Sequence, residues 1–472
     1  MNWELVGISV YVLGMLILGH VVSKRIKNDT DYFLAGRSLG PFLATFSIFA
    51  TWFGAETCIG TSGKVYREGI SGTHADPFGY ALCIFLMGFI FARILWNKKI
   101  TTIPDLFRTR FGARAEILGA LIMIPSSLVW AGAQIRAFGQ IIHATTDYGV
   151  VVAVTIAALV VITYTISGGL LADAYTDLIQ GSALIVGLIV LFWAIVMDMG
   201  GVAPAMAQVK PQSLDFFSQS SEMSWAARWE MWLIPLLGSL MSQELVSRMS
   251  ASRSGHVAFH SSWKAGLIYL FVGLMPVGIG LLGHVYHPEL ADSDTIMPLL
   301  AKKHLGFFLY IVFVGALVSA ILSTVDSTLL AISALATHNL IFPRYPKLTD
   351  EKRVFMARTG VFISGIAAYL IAFSSDSVTE LVETASSLGG PTILVMVSFA
   401  LFSKLGDELT AVVAMGSSLV TWFLGHFVFE WDAPVIVTVI VCLVSFLLMS
   451  GIRASKFTSK RGKRLLPPMN YW

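Results

Sequence analysis

Residues 49–60 read FATWFGAETCIG, inside a segment, 41–66, that otherwise has the composition of a membrane-spanning helix. Glycine at 54, 60 and 63, with threonine at 51, 57 and 61, makes this a place for the helix to unwind and leave backbone carbonyls free to bind an ion. A matching irregularity occurs at 229–249, where Pro235 and Gly238 precede Ser-Gln-Glu at 242–244. Interrupted helices at corresponding positions of two halves of a membrane chain point to a solute site near the bilayer midplane.

The composition agrees with that setting. Of 472 residues, 56% are hydrophobic, 12% aromatic and only 13% charged, and the mean hydropathy is +0.74, far from soluble averages. The expected class is an all-α polytopic membrane protein. A span needs roughly 20 apolar residues, and about thirteen segments qualify: near 5–23, 41–66, 77–96, 115–142, 148–166, 170–198, 229–249, 263–285, 306–338, 354–374, 378–403, 408–427 and 433–452. The first is read as a retained helix and not a signal peptide, because Lys24, Arg25 and Lys27 follow the apolar run instead of preceding it.

Basic residues collect on alternate loops: Lys24 to Arg37, Lys98 to Arg114, Arg248 with Arg253, Arg344 to Arg353, and the tail from Arg453. That pattern places those loops and the C-terminus in the cytoplasm and the N-terminus outside. The net charge of +3 then reflects topology, with no nucleic-acid surface implied. Cys58, Cys83 and Cys442 all fall within spans, which leaves neither a disulfide framework nor a zinc-type spacing. No HExxH or Walker-type motif is present, and the tail is expected to be too short for a signalling or catalytic domain.

Ionisable residues within spans cost several kcal/mol and are candidates for function. The informative ones, toward helix centres, are Glu56, Arg136, Asp173, Asp177, Glu244, Asp326 and Glu383, all acidic but one, as suits an interior that holds cations. In SAILSTVDSTLL, residues 319–330, Ala320, Ser323, Thr324 and Ser327 share one helical face. Hydroxyl and carbonyl oxygens suit a hard cation such as sodium; the same small residues equally suit close helix packing. In SGGLLADAYTDLIQG, residues 167–181, Gly168 and Gly169 break the chain, and Asp173 and Asp177 follow on one face. Two buried carboxylates there would repel unless they share a cation or proton, whereas Asp173 near the cytoplasmic mouth also reads as a solvated first-turn residue.

Taken together, DYFLAGRSLGP before the first interruption, GGLLADAYTDLIQ at 168–180, SQELVSRMSASRS at 242–254 and AILSTVDSTLL at 320–330 resemble the sodium/solute symporter family. The resemblance implies a five-plus-five inverted-repeat, leucine-transporter-like core. It divides the chain into a peripheral helix and linker (1–40), a first repeat (41–199), an extracellular loop (200–228), a second repeat (229–403), and two further helices with a basic tail (404–472). It also implies a sodium site formed by the carbonyls of Ala50, Phe53 and Ala320 and the hydroxyls of Ser323 and Thr324. Asp177, Asp326 and Ser327 match positions near a further ion site or ion path, with Asp326 standing where a sialic acid symporter has serine.

ATWFG at 50–54, FGY at 78–80, VWAGA at 129–133 and STVDS at 323–327 look most like the choline transporter branch. There, aromatic rings surround a quaternary ammonium. Trp52, Tyr80 and Trp130 match that cage, while Ser242 replaces a tryptophan. Glu56, Glu244 and Glu383 add carboxylates, and Trp52 and Glu56, four apart, are expected on one side of a helix.

The resulting expectation is a plasma-membrane symporter that imports a small solute with sodium as coupling ion, needs no other cofactor, and performs no chemistry. The favoured solute is a cationic or zwitterionic amine such as a choline-like compound. A neutral amino acid, sugar or organic acid is the alternative, followed by proton coupling through Asp177 or Asp326, a membrane sensor, or a membrane-embedded enzyme.

Overall fold

The computed structural model describes residues 3–146, 148–217, 223–290, 292–375 and 377–462. Among these the chain is helical throughout its spans, and the one extended pairing is a bridge between Leu39 and Ser252. Among the described residues, nine helical stretches are long and apolar enough to cross a membrane, and three shorter apolar helices, Ser9–Ser23, Pro41–Trp52 and Val150–Ile166, accompany them. The expected count of about thirteen is not established by that criterion, because several expected spans are broken into pieces too short to meet it.

The first break ends Pro41–Trp52 at Phe53, whose backbone (φ −92°, ψ 67°) is not helical. A wide-turned segment, Glu56–Gly60, then leads into Thr61–Glu68. The second separates Trp225–Ser239 from Gln243–Ala251. Both fall where glycine, proline and polar residues had marked them. In Val150–Asp198, Gly169 adopts φ 64°, ψ 167°, a conformation open to glycine at little cost; this is the expected turn between 148–166 and 170–198. A further break was not foreseen: Val378–Ser387 and Gly390–Phe402 are separated at Leu388 and Gly389, the latter at φ 83°.

Phe307–Ala334 is the central post, its residues from Phe313 onward buried almost without exception. Large apolar side chains such as Leu159, Val186, Phe355 and Ile363 are exposed on the periphery, as expected where lipid is the solvent.

The loops expected on one side do gather at one end. Arg37 donates to the carbonyls of Lys99 (2.9 Å), Ile100 (3.1 Å) and Ser250 (3.1 Å). Arg110 donates to those of Ser403 (3.2 Å) and Leu405 (2.6 Å), and Arg353 pairs with Asp29 at 3.4 Å. Arg253 N–H donates to Leu39 O at 2.9 Å. Of the basic tail, residues 463–472 lie outside the described residues. Arg248 does not belong to this layer: it is fully buried, so its charge compensates an interior and is no guide to orientation.

Candidate functional site

Ending the helix at Trp52 releases nearby carbonyls from the i→i+4 ladder. Gly54 makes the turn possible, since a Cβ there would lie 2.9 Å from Thr324 Oγ1, 2.9 Å from Glu56 Oε2 and 3.0 Å from Gln134 Oε1. Gln134 serves both sides of the break: its Oε1 accepts from Ala55 N at 3.2 Å, and its Nε2 donates to Glu56 Oε2 at 2.5 Å. Thr324 Oγ1 lies 3.1 Å from Ala320 O and 3.5 Å from Ala50 O. Ala50, Ala320 and Thr324 therefore converge, and Phe53 sits at the turn itself. Ser323 Oγ donates to Asp177 Oδ1, which joins the aspartate to this face.

Asp177 is the edge of a larger buried cluster. Its Oδ2 accepts from Ser47 Oγ at 2.6 Å and lies 3.5 Å from Arg248 Nη2. The same Nη2 donates to Asp173 Oδ2 at 2.5 Å and to Ser327 Oγ at 2.5 Å, and Arg248 Nε donates to Ser47 O (3.2 Å) and Oγ (3.1 Å). Asp173 is wholly buried, which corrects its reading as a solvated first-turn residue: the interior arginine lets it stay there. Asp326 is also wholly buried, beside Gly168 and neighbouring Asp173. Arg136 donates to Ala372 O at 3.1 Å, capping the end of Asp350–Ile371.

The aromatic residues do converge. Tyr80 meets Trp52 edge-on at 5.6 Å between ring centroids and Trp130 at 6.3 Å. On one side of these rings is a cavity of about 50 Å³ lined by Trp52, Trp130, Ser242 and Glu244; Ser127 Oγ donates to Glu244 Oε1 at 3.2 Å. On the other is a cavity of about 40 Å³ lined by Glu56, Asp76, Tyr80, Lys64 and Glu383. Trp52 and Glu56 thus border different cavities, contrary to expectation, because four-residue spacing fixes a shared face only within a continuous helix and the helix is broken between them.

Lys64 and Glu383 pair at 3.3 Å. Beyond them, outside the spans, burial and neighbouring Asp292 push the Asp294 carboxyl up to about 6 against the opposing pull of Arg67.

Sequence reasoning missed Arg248, Gln134, Ser47 and Asp76 as members of this region. Each carried a signal: Gln134 and Ser47 are polar residues within apolar spans, Asp76 precedes the FGY motif, and Arg248 falls one helical turn after Glu244.

A family model described as the sodium:solute symporter family matches residues 32–420. The chain belongs to the sodium:solute symporter family. As a member it is a multi-pass membrane protein of the sodium-coupled symport class. It is 28% identical over 443 residues to human high affinity choline transporter 1, covering 88% of this chain and 75% of the relative. With the sodium/proline symporter of Escherichia coli (strain K12) it shares 26% identity over 450 residues, 89% and 87% of the two chains.

Its structure matches a Na+-coupled sialic acid symporter, solved substrate-bound and outward-open, with a TM-score of 0.82 at 19% identity, over 95% of this chain and 97% of the other. A nucleobase-cation-symport-1 family transporter, in a closed conformation with bromovinylhydantoin bound, matches with a TM-score of 0.60 at 16% identity, over 92% and 96%. This family member therefore has the leucine-transporter-like fold that its motifs implied.

Proposed function

We propose that the chain imports a small solute across the plasma membrane together with sodium bound at the break after Trp52, by alternating access between two repeats at 41–199 and 229–403. The carrying observation is the meeting of Thr324 Oγ1 with the carbonyls of Ala320 and Ala50, an oxygen-only set suited to a hard cation. Phe53 would add a carbonyl and Ser323 a hydroxyl. Asp177, bonded to Ser323, supplies nearby negative charge on the ion's path. Arg248 already occupies the space between Asp173, Asp177 and Ser327, which favours one sodium over a second bound there. The basic layer at one end supports a cytoplasmic C-terminus and an external N-terminus.

The solute sits against Trp52, Tyr80 and Trp130, with Ser242, Glu244, Glu56 and Glu383 as polar neighbours. A cationic or zwitterionic amine fits this mixture of ring faces and carboxylates. The human choline transporter and the bacterial proline symporter are both relatives, and each transports a compound with a positively charged nitrogen. One sodium moving down 100 mV supplies about 2.3 kcal/mol, and a tenfold sodium gradient about 1.4 kcal/mol more. Together they support roughly 500-fold accumulation of a neutral solute.

Sodium-dependent uptake in proteoliposomes at fixed pH tests the coupling. Ser323→Ala and Thr324→Ala should each raise the sodium concentration for half-maximal uptake by about tenfold, as loss of one polar contact to a charge implies. Unchanged sodium dependence in both would reject this face as the ion site. Asp177→Asn should slow turnover more than it weakens solute binding at saturating sodium, and a wild-type rate would leave Asp177 a packing role only.

A further inference from the structure

The cavity on the far side of the Tyr80 ring has features that the aromatic cage does not account for. Glu56 and Asp76 both line it, and each is only 7% exposed. The hydrogen bonds they accept come from neutral groups: the Gln134 amide for Glu56, and the hydroxyls of Thr57 (2.6 Å) and Tyr269 (3.1 Å) for Asp76 Oδ2. Asp76 Oδ1 has no partner at all. The one basic residue lining the cavity, Lys64, is held by Glu383. Two buried carboxylates without a dedicated cation, one with an unpartnered oxygen, are costly in an apolar interior.

We infer that this cavity receives an ammonium group carrying N–H donors, so that the transported solute is a primary or secondary amine. The inference rests on the transport reading above and sharpens its solute class. An N–H donor supplies what Asp76 Oδ1 lacks, and its positive charge offsets Glu56 and Asp76, with charge-assisted hydrogen bonds roughly twice as strong as neutral ones. A quaternary ammonium brings the charge but no donor, leaving that oxygen unpaired at the full desolvation cost of the group. A sugar hydroxyl brings a donor but no charge. Tyr80 also lines this cavity, so its ring is placed to receive the apolar remainder of the amine while the nitrogen stays among the carboxylates. Thr61 and Thr379, also in the lining, provide further neutral acceptors for the N–H groups.

The test uses the full-length protein, purified in lipid nanodiscs, with three matched probes: ethanolamine, choline and ethylene glycol. Thermal stabilisation is titrated with each, in sodium and in potassium. Ethanolamine should bind at least about tenfold more tightly than choline, about 1.4 kcal/mol, and ethylene glycol should not stabilise. Asp76→Asn and Glu56→Gln keep the side-chain shapes while removing the charge, and each should weaken ethanolamine binding about tenfold. The ligand-free melting temperature reports whether each variant is folded, and if one is not, the other carries the test.

Choline binding as tightly as ethanolamine, ethanolamine binding unchanged in a folded variant, or no saturable ethanolamine effect would each overturn the inference. Sodium coupling is read separately: if sodium itself neither stabilises the protein nor tightens any probe, the transport reading fails whichever probe is preferred in potassium.

Discussion

Arg248→Leu is expected to lower stability by about 3–5 kcal/mol, the usual cost of removing one partner from a buried ion pair. The guanidinium bonds Asp173, Ser327 and both the carbonyl and hydroxyl oxygens of Ser47, and lies beside Asp177. Its loss strands two carboxylates away from water. Arg248→Lys should recover only part of the loss, because a single ammonium cannot reproduce a planar fork that reaches several acceptors at once. Thermal unfolding of Arg248→Leu, Asp173→Asn and the double variant measures the pair directly. The double variant should be more stable than the sum of the single effects predicts, by about 0.5–3 kcal/mol. Strict additivity would mean that the pair carries no coupling. If Arg248 also holds a place that a cation would otherwise take, sodium should stabilise Arg248→Leu more than it stabilises the wild type.

Gly238→Ala should be nearly as damaging for a different reason. A Cβ at 238 would lie 2.0 Å from Ser386 O, and one at 390 would lie 1.9 Å from Gly238 O. Both contacts are with backbone, which cannot rotate aside as a side chain can. Overpacking of a well-filled interior costs typically about 1–3 kcal/mol, and a backbone clash belongs at or above the top of that range. The helix Trp225–Ser239 would have to separate from Val378–Ser387, widening the cavity beside Ser242 and Trp130. The expected result is a lower melting temperature together with weaker solute binding. A variant that melts and binds like the wild type would show that the two helices need not touch.

The sequence made the two main breaks legible because glycine and proline act locally: Gly54 and Gly238 mark positions where backbone approaches backbone or a buried side chain. It made the face of Ala320, Ser323 and Thr324 legible because Phe307–Ala334 is one continuous helix with a constant period. The same periodic rule misplaced Trp52 relative to Glu56 once the helix broke between them. Arg248 was assigned to a loop by charge counting, which tracks position along the chain and cannot register that Gln243–Ala251 is buried along its whole length. Asp173 was misjudged for the same reason, since its burial depends on an arginine 75 residues away. Gln134 answers a break 79 residues earlier, and no local pattern announces that pairing. The break at Leu388 and Gly389 did have a local sign, Gly-Gly-Pro at 389–391, set within a run apolar enough to pass as an uninterrupted span.

The turn after Trp52 also bears on how two cargoes can be thermodynamically linked. The side chain of Trp52 borders the cavity beside Ser242 and Glu244, and the Ala50 carbonyl two residues earlier lies 3.5 Å from the Thr324 hydroxyl. On the proposed assignment, neighbouring residues report the presence of one cargo to the other, and a shift in this single turn is felt at both places. Linkage is then reciprocal: whatever factor sodium contributes to solute affinity, the solute must contribute to sodium affinity. A coupling of about 1–3 kcal/mol, the ordinary range between linked sites, would need no relay through the rest of the protein, only a turn in which both cargoes favour the same geometry.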